Sequence, residues 1–413
     1  MPLEGDNMMS VKRNNRRAAL RLLHEQGSMS RKRMAEFLGL TPAAITKIAG
    51  EMLSEGLLRE GNAVPSSSVG RREIMMDLNT RSGYALGVLI NLRQAILSAV
   101  WLDSSVIFSC EVPLPDHAPP EETVQLLASR LLTMTDEYNL NREKAVGLGI
   151  AVRGICSADG RCVTDSFGAL RDGKFPLCQR FEELTGLHAV MANNVRALFA
   201  AQMFLAKDKT SGAQFFLRCE YGIGAALSIE GKIWHGVSEQ CAEIGHIPVI
   251  PRGGKPCSCG KSGCLETIAS PTAIREDALA ILSPDKTPVL WKLSTKKGTE
   301  KLDIHDIMEA ALSGDEGIGL LVDKAVKTLA DALKSVIYLI DPGKIVLYGR
   351  MFDNPYYLSR LLGEMRLGVD TRHEVTIEKS PYNHQLEQKA ACLLAVEAFF
   401  DNGGVYLRTT EEK

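Results

Sequence analysis

The chain has no apolar run near the ~18 residues that a membrane-spanning helix needs, and it has no long polar tract. Its first ten residues lack the apolar core of a secretory signal, so neither export nor membrane insertion is expected. Net charge is almost absent, since 48 Lys and Arg stand against 50 Asp and Glu. With 413 residues, 45% of them hydrophobic, the chain can bury large cores and should form two or three domains.

The small net charge hides an uneven distribution of charge. Residues 1–82 hold 13 basic and 9 acidic side chains, a balance of about +4, whereas the remainder holds 35 and 41, about -6. A basic amino-terminal module joined to a slightly acidic body points weakly towards nucleic acid.

Helical patterns fill the amino-terminal module. The apolar spacing predicts helices over 14–26 and 30–38, each followed by a glycine. Thr41 is the predicted N-cap of a third helix, with Pro42 at the first position, where a missing N–H costs nothing. The outer face of this third helix carries small or cationic side chains: Ala43, Ala44, Thr46, Lys47 and Gly50.

The predicted helix over 30–38 and the third helix after it are typical of a helix-turn-helix, in which the later helix enters the major groove. Ala43 and Ala44 permit close approach to base edges. Thr46 can hydrogen-bond a base or a phosphate, and Lys47 can neutralise a phosphate. The alternative is a small helical bundle with a merely solvated outer face.

Two short strands are predicted over 57–60 and 72–76, around a tip rich in serine and glycine. They complete a winged helix. Arg71 and Arg72 then stand where a wing meets the phosphate backbone or the minor groove of double-stranded DNA.

Three cysteines, Cys257, Cys259 and Cys264, lie within eight residues, with glycines that allow a tight turn. His246 precedes them across a segment that can fold back. Three thiolates and one imidazole complete a tetrahedron, which predicts a structural Zn²⁺ site without an open catalytic position. A redox couple, a disulfide or plain buried residues are the alternatives for the Cys-x-Cys pair.

Thiolate ligands need a reducing compartment, which predicts a cytoplasmic protein.

Residues 243–266 read EIGHIPVIPRGGKPCSCGKSGCLE and closely resemble the signature of the ROK family of repressors and sugar kinases. The resemblance extends over 84–400. It implies that the histidine and three cysteines bind zinc and that Glu243, His246 and Glu266 line a sugar pocket. The amino-terminal module is similar to that of ROK repressors, such as those controlling glucose and N-acetylglucosamine genes.

Strands and helices alternate beyond residue 83, an α/β pattern, and the resemblance implies a body of two ribonuclease-H-like lobes, as in sugar kinases and actin. The predicted domains are a winged helix-turn-helix over 1–82, a first lobe over 83–193 completed by a helix over 386–400, and a second lobe over 194–385 with the zinc loop 246–266.

Kinases of this family use three motifs to bind ATP and to transfer its phosphoryl group, and each motif is altered in this sequence. In place of a D-x-G-G-T hairpin, residues 89–93 read LINLR, without the glycines or the aspartate. In place of an Asn-Asp pair stand Asn193 and Asn194, and an amide cannot accept the proton of a sugar hydroxyl. In the phosphate hairpin, Glu220 and Tyr221 precede the last two glycines, and a carboxylate repels a triphosphate. We therefore predict that the protein is not an enzyme.

The residues expected to contact the sugar are better preserved than the kinase motifs. The candidate ligand-binding residues are Asn193, Asn194, Glu243, His246 and Glu266. Their alternative role is only to support the metal loop. Arg153 replaces the proline of a family Pro-Gly pair, and its charge could favour an acidic or phosphorylated sugar or could pair with Glu220.

These features together predict a transcriptional regulator, with repression as the expected mode. It would bind double-stranded operator DNA as a homodimer or homotetramer and respond to a sugar or sugar phosphate. Two alternatives are an active sugar kinase with a vestigial DNA module, and a regulator controlled by a protein partner.

Overall fold

The computed structural model describes residues 8–64, 73–115, 119–165, 173–206, 212–367, 374–381 and 383–407. The chain forms two compact units, one of Met1–Lys207 with His384–Lys413 and the other of Asp208–Asn383. Within the described ranges, no helix is long and apolar enough to span a bilayer.

The amino-terminal part of the first unit is a winged helix-turn-helix. Its elements are α1 (Met8–Gln26), β1 (Met29–Ser30), α2 (Arg31–Leu38), α3 (Pro42–Ser54), β2 (Leu58–Val64) and β3 (Glu73–Leu78). Strand β3 pairs antiparallel with both β1 and β2. Gly39 ends α2 in the left-handed conformation, and Thr41 caps α3 by accepting the N–H of Ala44 at 3.2 Å. The predicted helices and strands are confirmed, although α1 begins at Met8 instead of residue 14.

The rest of the first unit is built on a mixed sheet. Its elements are β4 (Tyr84–Ile90), β5 (Gln94–Trp101), β6 (Val106–Pro113), α4 (Pro120–Glu137), β7 (Ala145–Val152), β8 (Ile155–Cys156), β9 (Val163–Asp165), α5 (Leu177–Thr185), β10 (Ala189–Asn193) and α6 (Asn194–Leu205). The strand order in the sheet is β10-β7-β4-β5-β6. Strands β4, β7 and β10 run parallel, and β5 and β6 are antiparallel additions. Every residue of β4 and β7 is buried, as expected for strands covered on both faces.

The second unit is built on a sheet of its own. Its elements are β11 (Ala213–Cys219), β12 (Ile223–Ile229), β13 (Lys232–Trp234), α7 (Glu266–Ala269), α8 (Pro271–Ala280), α9 (Pro288–Lys297), α10 (Ile304–Leu312), α11 (Glu316–Ile340), β14 (Lys344–Tyr348), α12 (Pro355–Arg366) and β15 (Thr376–Lys379). The strand order in the sheet is β13-β12-β11-β14-β15. Val322, Leu329 and Leu333 of α11 are fully buried and share one core with Phe215 and Ile345 of the sheet. The long helix therefore covers one face of this sheet.

The last helix, α13 (Asn383–Asp401), packs on the sheet of the first unit. Glycines allow the close approach, because a Cβ on Gly149 of β7 would lie 1.7 Å from the carbonyl oxygen of Ala391. A Cβ on Gly87 of β4 would lie 2.6 Å from the backbone nitrogen of Cys392. Helix α6 also belongs to the first unit, whereas the predicted division after residue 193 placed it in the second lobe. The predicted domain boundaries stay a prediction.

Candidate functional site

The candidate DNA-reading surface is the outer face of α3. Ile45, Ile48 and Met52 are buried on its inner face and fix the rotation of the helix. Of the predicted contact residues, Thr41, Ala43, Thr46 and Lys47 are exposed and Ala44 is half-buried. The Thr46 hydroxyl donates to the carbonyl oxygen of Pro42 at 2.7 Å, which leaves its oxygen able to accept a hydrogen bond.

The predicted wing residues Arg71 and Arg72 lie outside the described part of the chain. The strands that flank them pair from Leu58–Leu78 to Val64–Glu73, with a shift of register between Glu60 and Ala63. The strand framework of a wing is thus present, and the DNA contacts of both arginines stay a prediction.

The predicted metal ligands converge in the second unit. The ligand atoms of His246, Cys257, Cys259 and Cys264 all lie within 4.8 Å of one another. His246 Nδ1 is 3.4 Å from Cys257 Sγ, and Cys259 Sγ is 3.7 Å from Cys264 Sγ. A tetrahedral zinc with Zn–S bonds of about 2.3 Å would set sulfur atoms about 3.8 Å apart. The four residues therefore form a cluster with the dimensions of a metal site.

Backbone turns bring these ligands together. Gly263 has a φ of +72°, and a Cβ there would lie 2.1 Å from the carbonyl oxygen of Ile250. Its own carbonyl oxygen accepts the N–H of Val249 at 2.8 Å, which joins the histidine segment to the cysteine loop. Only glycine satisfies both the conformation and the close approach, so the loop depends on residue 263.

The chemistry of the cluster favours a bound cation. Burial, followed by the neighbouring thiols of Cys257 and Cys259, raises the pKa of the Cys264 thiol to about 12. Burial also opposes ionisation of Cys259, but the backbone N–H of Lys261 and the neighbouring thiols outweigh it and lower the pKa of that thiol. The buried Cys264 thiol therefore favours its protonated form. A divalent metal reverses this preference, because it binds thiolates directly.

Asn193 of the predicted sugar site holds the turn between β10 and α6. Its side-chain amide nitrogen donates to the carbonyl oxygen of Gly154 at 2.8 Å, and its amide oxygen accepts the N–H of Val195 at 2.9 Å. A sugar could use only the remaining hydrogen and lone pair of this side chain. Asn194 is buried at the first position of α6. Sugar binding by both residues stays a prediction.

Glu266 connects the end of the metal loop to the glycine hairpin between β11 and β12. One of its carboxylate oxygens accepts the N–H of Ile223 at 3.0 Å. A Cβ on Gly222 would lie 2.2 Å from the same oxygen, so any larger residue at 222 would displace the Glu266 carboxylate. Glu243 is exposed and precedes the short 3-10 helix Ile244–His246. Glu266 therefore supports the hairpin at least, and the roles of both glutamates in sugar binding stay predictions.

The same hairpin carries Glu220, which has a partner that the sequence did not reveal. Its carboxylate accepts the backbone N–H of Arg350 at 2.8 Å and lies 3.4 Å from the Arg350 Nε. Arg350 follows Gly349, where a Cβ would lie 2.1 Å from the carbonyl oxygen of Cys219. No spacing rule links residues 130 positions apart. The only sequence feature that could have indicated this contact is the glycine-arginine pair directly after β14.

The body and the amino-terminal module each match a known family. Residues 95–395 match the ROK family, and residues 14–60 match the MarR family. The fold and the sites define a class of protein in which a winged-helix DNA-binding domain is joined to an α/β body of the actin-like sugar-kinase fold. Because the first match spans well over half of the sequence, this chain belongs to the ROK family.

Characterised relatives cover most of the chain. The DNA-binding transcriptional dual regulator NagC of Escherichia coli is 27% identical over 346 residues, which are 84% of this chain and 82% of NagC. The DNA-binding transcriptional repressor Mlc of Escherichia coli is 25% identical over 409 residues, 96% of each protein. The chain is thus homologous to repressors along nearly its whole length.

Two solved structures confirm the predicted fold class. The crystal structure of a ROK family transcriptional regulator, a homologue of the Escherichia coli Mlc protein, covers 96% of this chain and 98% of that one, with a TM-score of 0.79 and 22% identity. A ROK family glucokinase from Streptomyces griseus, in complex with glucose and AMPPNP, covers 76% of this chain and 99% of its own, with a TM-score of 0.63 and 21% identity.

Proposed function

We propose that this protein is a transcriptional repressor that binds operator DNA through α3 and its wing and responds to a sugar or sugar phosphate bound by the body. The observation that carries the proposal is the exposed face of α3 on a chain homologous to NagC and Mlc over most of its length. Small side chains flanking Thr46 and Lys47 suit the close approach that reading of the major groove requires.

The body serves as a sensor in this proposal and does not transfer phosphate. Asn194 has no carboxylate with which to take a proton from a sugar hydroxyl. Glu220 and Glu266 each place a carboxylate on backbone N–H groups in or next to the glycine hairpin. A phosphate bound at this hairpin would lie close to one of these carboxylates. The repulsion between two negative charges 4 Å apart is about 1–4 kcal/mol.

Sugar recognition rests on Glu243, His246, Glu266 and the two asparagines at the start of α6. Carboxylates and amides can bracket the hydroxyls of a pyranose with complementary donors and acceptors. The N-acetylglucosamine repressor of Escherichia coli O6:H1, 27% identical to this chain, and the glucose-bound glucokinase make a hexose or its derivative the first ligand to test.

Zinc is the proposed metal of the His246 cluster. Three sulfur atoms and one imidazole nitrogen are the donor set of closed structural sites, with no position left for a substrate. His246 would hold the ion through Nδ1, the nitrogen that faces Cys257. The ion would supply only structural support, by fixing the loop that ends in Glu266. Its thiolates need a reducing environment, which keeps the cytoplasm as the proposed location.

The repressor is proposed to act as a homodimer or homotetramer. One recognition helix reads only a few base pairs, and two helices spaced by one helical turn give useful affinity. A closed symmetric assembly provides that spacing.

Sequencing the genomic DNA fragments that the purified protein retains tests this function. The proposal expects a small set of fragments that share a two-fold symmetric sequence and lie upstream of carbohydrate genes. Retention of fragments without any shared sequence would contradict it.

A further inference from the structure

Arg16 of α1 joins two parts of the first unit that lie far apart in sequence. Its side chain is only 5% exposed. Nε donates to the carbonyl oxygen of Gly403 at 2.8 Å, and the two terminal nitrogens donate to the two carboxylate oxygens of Glu55, one at 2.8 Å. Glu55 is the C-cap of the recognition helix α3. One planar guanidinium thus holds the end of α3 and the turn that follows α13.

The turn after α13 is shaped to receive this contact. Gly403 and Gly404 both have positive φ, and their N–H groups donate to the carbonyl oxygens of Phe400 and Phe399, each at 2.9 Å. A Cβ on Gly403 would lie 3.1 Å from Arg16 Cβ. The two glycines therefore let α1 approach the end of α13 directly.

Further contacts along α1 hold it to the same end of α13. Arg17 lies 3.0 Å and Arg21 2.6 Å from the Asp401 carboxylate. One turn on, the ring of His24 lies 4.2 Å from that of Phe204 and 5.7 Å from that of Phe400. The part of helix α1 from Arg16 to His24 is thus held against the end of α13.

Helix α13 in turn is held against the sheet strands that lead to the candidate sugar site. Gly149 and Gly87 admit its backbone onto β7 and β4. Strand β10, which ends at Asn193, pairs with β7 in parallel register. A shift of these strands would therefore move α13, and Arg16 would pass the movement to α3.

We propose that Arg16 is the positioning residue through which α13 sets the placement of the recognition helix. The inference rests on the proposed function and assigns its regulation to one side chain. Lysine can supply the charge of Arg16 but not its fork of donors, so it cannot hold Gly403 and Glu55 in the same way.

The test compares Arg16→Lys, which keeps the charge and loses the fork, with Arg13→Ala, which removes a charge from the exposed neighbour on α1 and keeps the fork. The DNA probe is the duplex that the wild-type protein enriches most strongly from a random-sequence pool. Hydrogen exchange of the Gly403 and Gly404 amides is measured with and without this duplex. The affinity of each protein for this duplex is also measured as N-acetylglucosamine, glucose, xylose or one of their phosphates is added.

In the wild-type protein and in Arg13→Ala, the duplex should slow exchange at Gly403 and Gly404 at least several-fold. In Arg16→Lys the DNA-induced slowing of hydrogen exchange should stay within residues 8–64. Any sugar-induced change in DNA affinity should fall to near onefold. The affinity for the sugar in the absence of DNA should be unchanged. A purely structural role would alter stability alone and leave the DNA-induced slowing in place.

Equal slowing in Arg16→Lys and in the wild-type protein would overturn the inference and leave the proposed function standing. A wild-type protein that enriches no duplex would instead overturn the proposed function.

Discussion

The carboxylate of Glu220 accepts a 2.8 Å hydrogen bond from the backbone N–H of Arg350, and the Arg350 Nε lies 3.4 Å from it. Backbone N–H groups next to glycines are the usual means of holding a phosphate. Here the chain places its own anion on such a group. The Arg350 N–H is therefore already paired with a carboxylate of the chain itself.

Replacing Glu220 by alanine should destabilise the second unit by about 2 kcal/mol, because the N–H of Arg350 loses a charged acceptor. Chemical denaturation monitored by circular dichroism measures this change. Glu276→Ala removes an exposed carboxylate from α8 of the same unit and should leave stability nearly unaltered. Equal effects of the two substitutions would show that the contact with Arg350 contributes nothing.

Replacing Cys264 or Cys257 by serine should release one zinc ion per chain and lower the unfolding temperature of the second unit, because a closed site stabilises only the folded state. Elemental analysis of the purified variants measures the metal. Cys241→Ser, outside the cluster in the same unit, should retain the ion. Wild-type protein purified without metal would contradict the zinc assignment.

Replacing Lys47 by alanine should weaken binding to all DNA sequences, because the side chain no longer neutralises a phosphate. The slope of log affinity against log salt should fall by about one unit. Fluorescence anisotropy at several salt concentrations gives the slope. Lys292→Ala removes the same charge from the exposed face of α9 and should not change it. An unchanged slope for Lys47→Ala would place the DNA surface elsewhere.

Asp306 gives α10 a pH-dependent stability. Burial opposes its ionisation, but the hydrogen bond from Lys297 and the backbone N–H of Asp303 outweigh this effect and lower the pKa of Asp306 below its ordinary value. The folded state thus favours the carboxylate, so the stabilisation is present above about pH 4, the ordinary pKa, and is lost as the pH falls through the lower folded-state pKa.

Asp306→Asn should therefore unfold at a lower temperature than the wild-type protein near pH 7, and the difference should shrink below about pH 4. Thermal unfolding across this pH range measures it. Asp285→Asn, at an exposed position, should follow the wild-type curve throughout. A constant difference between Asp306→Asn and the wild-type protein at every pH would contradict this assignment.

Several elements follow from local sequence alone. Strands β4, β7 and β14 are each an apolar run bounded by polar or turn residues, which is the pattern that indicates a buried strand. The turn between α2 and α3 was equally readable, since Gly39, Thr41 and Pro42 each favour one backbone conformation there. The clustering of His246, Cys257, Cys259 and Cys264 was predictable from residue type and spacing, and the structure brings all four together, while their binding of a metal stays a prediction.

Contacts between distant segments were not readable. Arg16 meets Gly403 across 387 positions and Glu220 meets Arg350 across 130, and both depend on packing that no periodicity encodes. The amide of Asn193 was predicted to face a sugar, yet it also caps α6, because an asparagine before a helix can serve either purpose. Helix α1 was predicted to begin too late, since its first residues are mainly polar or exposed.

The central claim is that the body binds a sugar to control DNA binding and does not phosphorylate it. Its most direct test measures, in one reaction with ATP and Mg²⁺, the affinity for an enriched duplex and the formation of ADP as each hexose or hexose phosphate is added. We expect one sugar to change the DNA affinity by roughly 5–150-fold while no ADP forms. Sugar-dependent ADP formation by a protein that binds no duplex would contradict it.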